Sequence, residues 1–162
     1  MNTSLVVSAA CAIVVTAAGG LLTEIGPWYR ALRKPSWQPP DWLFGPAWTV
    51  ILALAAWSAS LAWDAAPTPI SRGFVAGLFG LNAFFHFLWS PLFFKLRQPD
   101  WALVEVVFLW SSILALVIYT APISELASWL LAPYLAWVTF AACLNLAIVR
   151  LNGPFARSAV IP

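Results

Sequence analysis

Charge is what this chain has least of. Lysine, arginine, aspartate and glutamate make up 9% of its 162 residues, while 62% are hydrophobic. A soluble domain carries about a quarter charged residues, so this composition excludes an ordinary water-soluble fold and points to a membrane protein. Histidine occurs once, and the two cysteines, Cys11 and Cys143, have no CxxC spacing and no neighbouring histidine. That excludes a conventional zinc site or dithiol redox pair, and the cysteines read as small buried side chains. A nucleotide-binding loop and an internal repeat are also missing, which argues against the inverted-repeat transporters.

The few charges are clustered. Residues 1–23, 42–63, 73–94, 106–124 and 126–149 carry none. Each gap is close to the roughly 20 residues that a helix needs to cross the hydrocarbon core. Their apolar character is continuous rather than alternating, which excludes a β-barrel. The expectation is an all-α integral membrane fold over residues 1–162. Its transmembrane helices lie at about 5–22, 44–63, 74–94, 101–120 and 126–149, in a compact bundle with a structured loop at 23–43. The first run lacks a basic leader and reads as a span, not a cleaved signal.

Arg30, Arg33, Lys34, Lys95, Arg97, Arg150 and Arg157 fall on one side of this arrangement, and Arg72 alone on the other. The positive-inside rule then places the loop and C-terminus in the cytoplasm and the N-terminus outside. Charge asymmetry assigns a side, not a particular membrane. The flanking basic residues suit lipid headgroups, not nucleic acid.

The 23–43 loop and the start of the next span hold Trp28, Trp37, Trp42 and Trp48 among Pro35, Pro39, Pro40 and Pro46. That much aromatic area is costly to leave in water, so lipid headgroups, protein or a ligand must cover it. Trp37 and Trp42 read as interfacial anchors. In the third span, Asn82 and His86 share a helical face with Trp89, Ser90 and Phe93; in the fifth, Pro133, Trp137, Ala141, Leu144 and Asn145 do. Polar groups at membrane depth face the bundle interior, either as functional groups or as interhelical hydrogen bonds. Pro91 and Pro133 lie within apolar runs and are expected to bend their helices. Glu105, one turn into the fourth span, reads as solvated at the interface. Gly73, Ala76, Gly77 and Gly80 form a small-residue face for close helix approach, within the bundle or across a dimer.

The ordered series Trp28-Tyr29, Leu32, Lys34-Pro35, Trp37, Pro39-Pro40, Phe44-Gly45-Pro46, Trp48-Thr49, then Trp89-Ser90-Pro91-Leu92-Phe93-Phe94, Pro133-Tyr134-Leu135, Trp137, Phe140-Ala141, Leu144-Asn145 and Asn152 resembles the TspO/MBR family. That family joins the bacterial tryptophan-rich sensory proteins with the mitochondrial translocator protein. The resemblance implies a five-helix bundle, commonly a homodimer, of bacterial membrane type, that binds porphyrins, haem and benzodiazepine-type ligands with no tightly held cofactor or metal. It implies a ligand pocket of Tyr29, Pro40, Trp48, Asn82, His86, Trp89, Trp137, Ala141 and Leu144. A lid would carry Trp28, Arg30, Arg33, Lys34 and Trp37. Trp48 and Trp137 match the tryptophans implicated in light-dependent porphyrin breakdown by some members. This chain departs from the family in having His86 where an asparagine is common, and it lacks the tyrosine of the animal cholesterol motif before Arg150.

Three functions compete at this stage. The first is a tetrapyrrole-binding sensor or regulator of porphyrin level or transport. The second is an enzyme degrading protoporphyrin with light and oxygen through Trp48 or Trp137. The third is a small-molecule transporter, which the missing repeat and scarce mid-membrane charge disfavour.

Overall fold

Each charge-free run contains a long helix in the computed structural model, which describes residues 2–155. The long helices are α1 (Thr3–Leu22), α3 (Phe44–Ala65), α4 (Pro69–Ser90), α5 (Pro99–Thr120) and α7 (Ala132–Asn152), with short helices α2 (Pro27–Ala31) and α6 (Glu125–Leu130) between them. Among the described residues, five segments are long and apolar enough to cross a membrane: Thr3–Leu22, Asp41–Ala65, Pro69–Lys95, Pro99–Thr120 and Glu125–Asn152. Arg157, one of the basic residues used to assign sidedness, lies outside the described residues.

Local chemistry sets the helix ends. Asn2 caps α1 through its side chain, which accepts from the Ser4 N–H. At α4, Thr68 and Ser71 form a reciprocal capping box with Pro69 at the first helical position. Ser124 caps α6. Pro99 opens α5, with Asp100 in its first turn accepting from the Phe155 N–H at 3.0 Å.

The two internal prolines do not bend continuous helices. At Pro91 the α-helix gives way to a π-helical turn, Pro91–Lys95, closed by Leu96 N–H to Pro91 O at 2.9 Å. That wider turn brings Phe93 and Phe94 inward, where both are buried. Pro133 falls in the first turn of α7 because α6 ends at Leu130, and its missing N–H costs nothing there.

Helix α5 is central, packed against α4, α6 and α7, while α1 lies at the periphery against α3 and α4. The main core joins Ile51 and Ala55 of α3, Leu109, Ile113 and Leu116 of α5, Leu131, and Tyr134 and Val138 of α7. No residue of α1 is buried. Its foothold is a polar clasp: Ser4 Oγ lies 2.9 Å from Ser60 Oγ and donates to Asp64 at 2.9 Å, and Asn2 Nδ2 donates to Asp64 at 2.6 Å. Large exposed side chains such as Ile13, Val14, Phe74 and Phe108 make the outer, lipid-facing surface.

Three sequence expectations change here. Cys11 and Cys143 are exposed, not buried, because each sits on a helix face turned away from its neighbours. Glu105 is 5% exposed and neither carboxylate oxygen has a hydrogen-bond partner, so it is not solvated. Lateral position explains this: α5 is covered by helices on most sides, whatever the depth. Finally, Gly73, Ala76, Gly77 and Gly80 are all exposed, which removes the within-bundle reading of that face.

Candidate functional site

A cavity of about 490 Å³ opens between α1, α3, α4, α5 and α7, within the size range of small-molecule sites. Of the residues expected to form the pocket, Tyr29, Trp48, His86, Trp89, Trp137, Ala141 and Leu144 line it. Each comes from the inward stripe of its helix, and α7 supplies Trp137, Ala141 and Leu144 at steps of four and three.

The aromatic rings are arranged edge to face. Trp48 meets His86 with centroids 4.7 Å apart at 77°, Tyr134 at 6.1 Å and Trp137 at 6.3 Å and 88°. Trp89 stacks on Phe93 at 5.1 Å. Such contacts add to area burial and fix the ring orientations. His86 Nδ1 shares a hydrogen bond of 3.1 Å with the buried Tyr134 hydroxyl, which holds the imidazole in place across α4 and α7.

Polar groups around the cavity divide into satisfied and unsatisfied. The hydroxyls of Thr16 and Thr49 in their helices, and of Thr23 at the end of α1, each donate to the carbonyl four residues earlier. Asn145, with its amide oriented to satisfy both neighbours, donates to Pro99 O at 3.2 Å and accepts from Leu103 N–H at 3.1 Å. The indole N–H groups of Trp89 and Trp137 are buried with no partner. A buried donor without an acceptor costs about 1–3 kcal/mol.

The loop closes one end of the cavity through a small network. The Tyr29 hydroxyl donates to Asp41 Oδ1 at 3.1 Å, and Gln38 Nε2 donates to both, at 3.2 and 3.1 Å. The Lys34 ammonium lies 3.6 Å from the Tyr29 ring centroid and 3.9 Å from Asp41 Oδ2. Burial first, and then the Asp41 charge, push the Tyr29 phenol up to about 12, so it stays a hydrogen-bond donor. At the far end of the loop, Asn152 accepts from the Arg33 N–H at 2.7 Å and donates to the Arg33 carbonyl at 2.8 Å. These bonds hold the loop to the end of α7.

Other expected residues lie elsewhere. Asn82 is buried one turn before His86, but its amide donates to Ser112 Oγ at 2.9 Å and it is outside the cavity lining. Pro40 is exposed and also outside the lining. Trp28 packs against Phe93 and Phe155 at 6.1 and 6.3 Å, with Arg97 over its ring, and acts as packing beneath the loop. Trp37 is half exposed against Phe140 at 5.8 Å. Trp42, expected only as an anchor, is 71% exposed yet contributes to the cavity rim. Arg30 and Arg33 are exposed. Sequence reasoning missed the α1 wall of Thr16, Gly19, Gly20 and Thr23, although its small residues recur at helical spacing.

Comparison with known proteins gives a consistent result. Residues 7–151 match the sequence profile of the TspO/MBR family. The chain is 38% identical over 150 residues to the tryptophan-rich protein TspO of Archaeoglobus fulgidus, covering 91% of this chain and 96% of that one. It is 36% identical over 159 residues to the protein of the same name from Chlorobaculum tepidum, covering 94% and 99%. With the translocator protein of Sus scrofa it shares 38% identity over 132 residues, covering 77% and 75%.

Proposed function

The chain belongs to the TspO/MBR family, and from that premise we propose that it is a membrane-embedded binding protein for tetrapyrroles, protoporphyrin IX or haem, acting as a sensor or regulator of porphyrin level or transport. The observation that carries this reading is the cavity of about 490 Å³ walled by Trp48, Trp89 and Trp137. A flat apolar macrocycle suits the faces of Trp48, Trp89 and Trp137. The exposed Arg30 and Arg33 lie in the segment that carries the cavity residue Tyr29 but do not line the cavity, and Lys34 is held by Tyr29 and Asp41. Benzodiazepine-type molecules, flat and rich in acceptors, suit the same cavity. In this reading the loop lies on the cytoplasmic side and the exposed face of Gly73, Ala76, Gly77 and Gly80 on α4 serves as a homodimer contact.

A second reading has one observation in its favour. Trp48 and Trp137 contact each other at 6.3 Å inside the cavity, which places two oxidisable rings beside any bound pigment. That geometry suits light-driven degradation of protoporphyrin with oxygen as oxidant. Illuminating purified protein with protoporphyrin separates the two. Fluorescence quenching with the porphyrin absorbance preserved supports the sensor. Breakdown that disappears in Trp48→Phe or Trp137→Phe, with affinity retained, supports the enzyme. Absence of any saturable quenching overturns both.

A further inference from the structure

A second concavity, an open groove of about 680 Å³, lies between the loop and the outer face of α7. One wall is Lys34, Pro35, Ser36 and Trp37. The floor is Cys143, Leu146, Ala147, Arg150 and Leu151, whose spacing of three and four residues marks a single helix face. None of these α7 residues lines the aromatic cavity, which takes Trp137, Ala141, Leu144, Asn145 and Ile148 from the opposing stripe.

The floor is apolar along the membrane-spanning part of the helix and ends at Arg150, in its last turn. Lys34 lines the same groove from the loop, so two cations border an apolar track, and among the described residues no acidic one lines it. Trp37 completes the loop wall lower down the helix, its ring resting 5.8 Å from that of Phe140, and extends the apolar lining. An amphiphile with a negative head and an acyl chain matches the two cations and the apolar floor, and in a bilayer the abundant molecule of that kind is an anionic phospholipid, one of whose two chains follows the floor. A zwitterionic lipid or a sterol offers no net charge to the two cations.

We propose that this groove is a binding site for an anionic phospholipid, with its phosphate between Lys34 and Arg150 and an acyl chain along Leu146 and Ala147. The Ser36 hydroxyl provides a further donor to the headgroup. The site has a built-in link to the cavity. Lys34 is held 3.9 Å from Asp41 and 3.6 Å from the Tyr29 ring centroid, and both partners line the cavity. A lipid phosphate competes with Asp41 for that ammonium, so the lipid acts on the loop network without entering the cavity. The groove itself stands whether or not the cavity takes tetrapyrroles.

Native mass spectrometry of the full chain released from nanodiscs of mixed phosphatidylcholine and phosphatidylglycerol tests this. The wild type is expected to retain one phosphatidylglycerol in preference to phosphatidylcholine. Arg150→Gln is expected to weaken that retention about fivefold, the effect of one cation at a membrane surface, and Lys34→Gln similarly. Arg150→Lys is expected to keep it. Lys95→Gln, which removes an exposed cation outside the groove, is the control. Equal retention of both lipids by the wild type overturns the proposal. So does unchanged retention in Arg150→Gln, or an equal loss in Lys95→Gln, which would assign the preference to diffuse surface charge. Circular dichroism melting of each variant confirms that the bundle is intact.

Discussion

Replacing Asn152 with alanine probes how the loop is held over the cavity. In the structure this side chain accepts from the Arg33 N–H at 2.7 Å and donates to the Arg33 carbonyl at 2.8 Å, with a further bond to Ile148 O at 2.9 Å inside its own helix. Asn152→Ala removes both bonds between α7 and the loop. A net hydrogen bond contributes about 1 kcal/mol, and water replaces part of it where the site is half exposed, so the loss is about 1–2 kcal/mol. That corresponds to an opening equilibrium raised about five- to thirtyfold. The assay is hydrogen–deuterium exchange with peptide resolution. Amides of residues 28–38 should exchange faster by that factor, while those of the α5 core around Leu109–Leu116 keep their rates. Asn152→Asp is a sharper variant: it keeps an acceptor for the Arg33 N–H but sets a carboxylate against the Arg33 carbonyl, and should loosen the loop at least as much. Unchanged exchange in the loop, or equal acceleration throughout the bundle, would refute the idea that Asn152 is a local latch.

Other consequences are as direct. Asn82→Ala should lower stability by about 1–3 kcal/mol in a thermal or denaturant melt while shifting ligand affinity less than twofold, because Asn82 bonds Ser112 and not the cavity. In a spectrophotometric alkaline titration, the difference between wild type and Tyr29→Phe should show a phenol ionising near pH 12, and Asp41→Asn should lower that midpoint by removing the charge that helps raise it. Because the folded-state value lies above the usual one, the stabilisation is full below about pH 10 and is lost as pH rises through about 12. On the proposed homodimer face of α4, Gly77→Leu should abolish dimer crosslinking without changing the melting temperature.

Much of the fold is legible in the chain because burial in lipid leaves a coarse trace. Charge-free runs mark the spans to within a few residues, and the loop announces itself through tryptophans and prolines that no solvent-exposed linker keeps. The inward faces of α4 and α7 follow from helical spacing, which is why His86, Trp89, Trp137 and Leu144 converge as expected. What spacing cannot carry is the identity of the neighbour. Asn82 and His86 share a stripe, yet one reaches α5 and the other reaches Tyr134 of α7. Glu105 lies near a helix end, but α5 is central, and depth along an axis says nothing of lateral cover. In a membrane protein apolar residues face both lipid and core, so hydrophobicity did not reveal that Cys11 and Cys143 point outward. Pro133 marked a helix start and not a bend, because the break at Leu131 leaves no charge or glycine signature.

The central claim is that the aromatic cavity is the tetrapyrrole site, and Ala141 offers the most direct test of it. This half-buried residue lines the cavity one turn beyond Trp137. Ala141→Trp places an indole in the space a macrocycle would occupy. Titration of protoporphyrin IX, followed by quenching of intrinsic fluorescence, should give saturable one-to-one binding to the wild type. The variant, with an unchanged melting profile, should bind at least about tenfold more weakly, a loss of about 1.4 kcal/mol or more. Equal affinity in a correctly folded Ala141→Trp protein would place the ligand elsewhere and contradict the account.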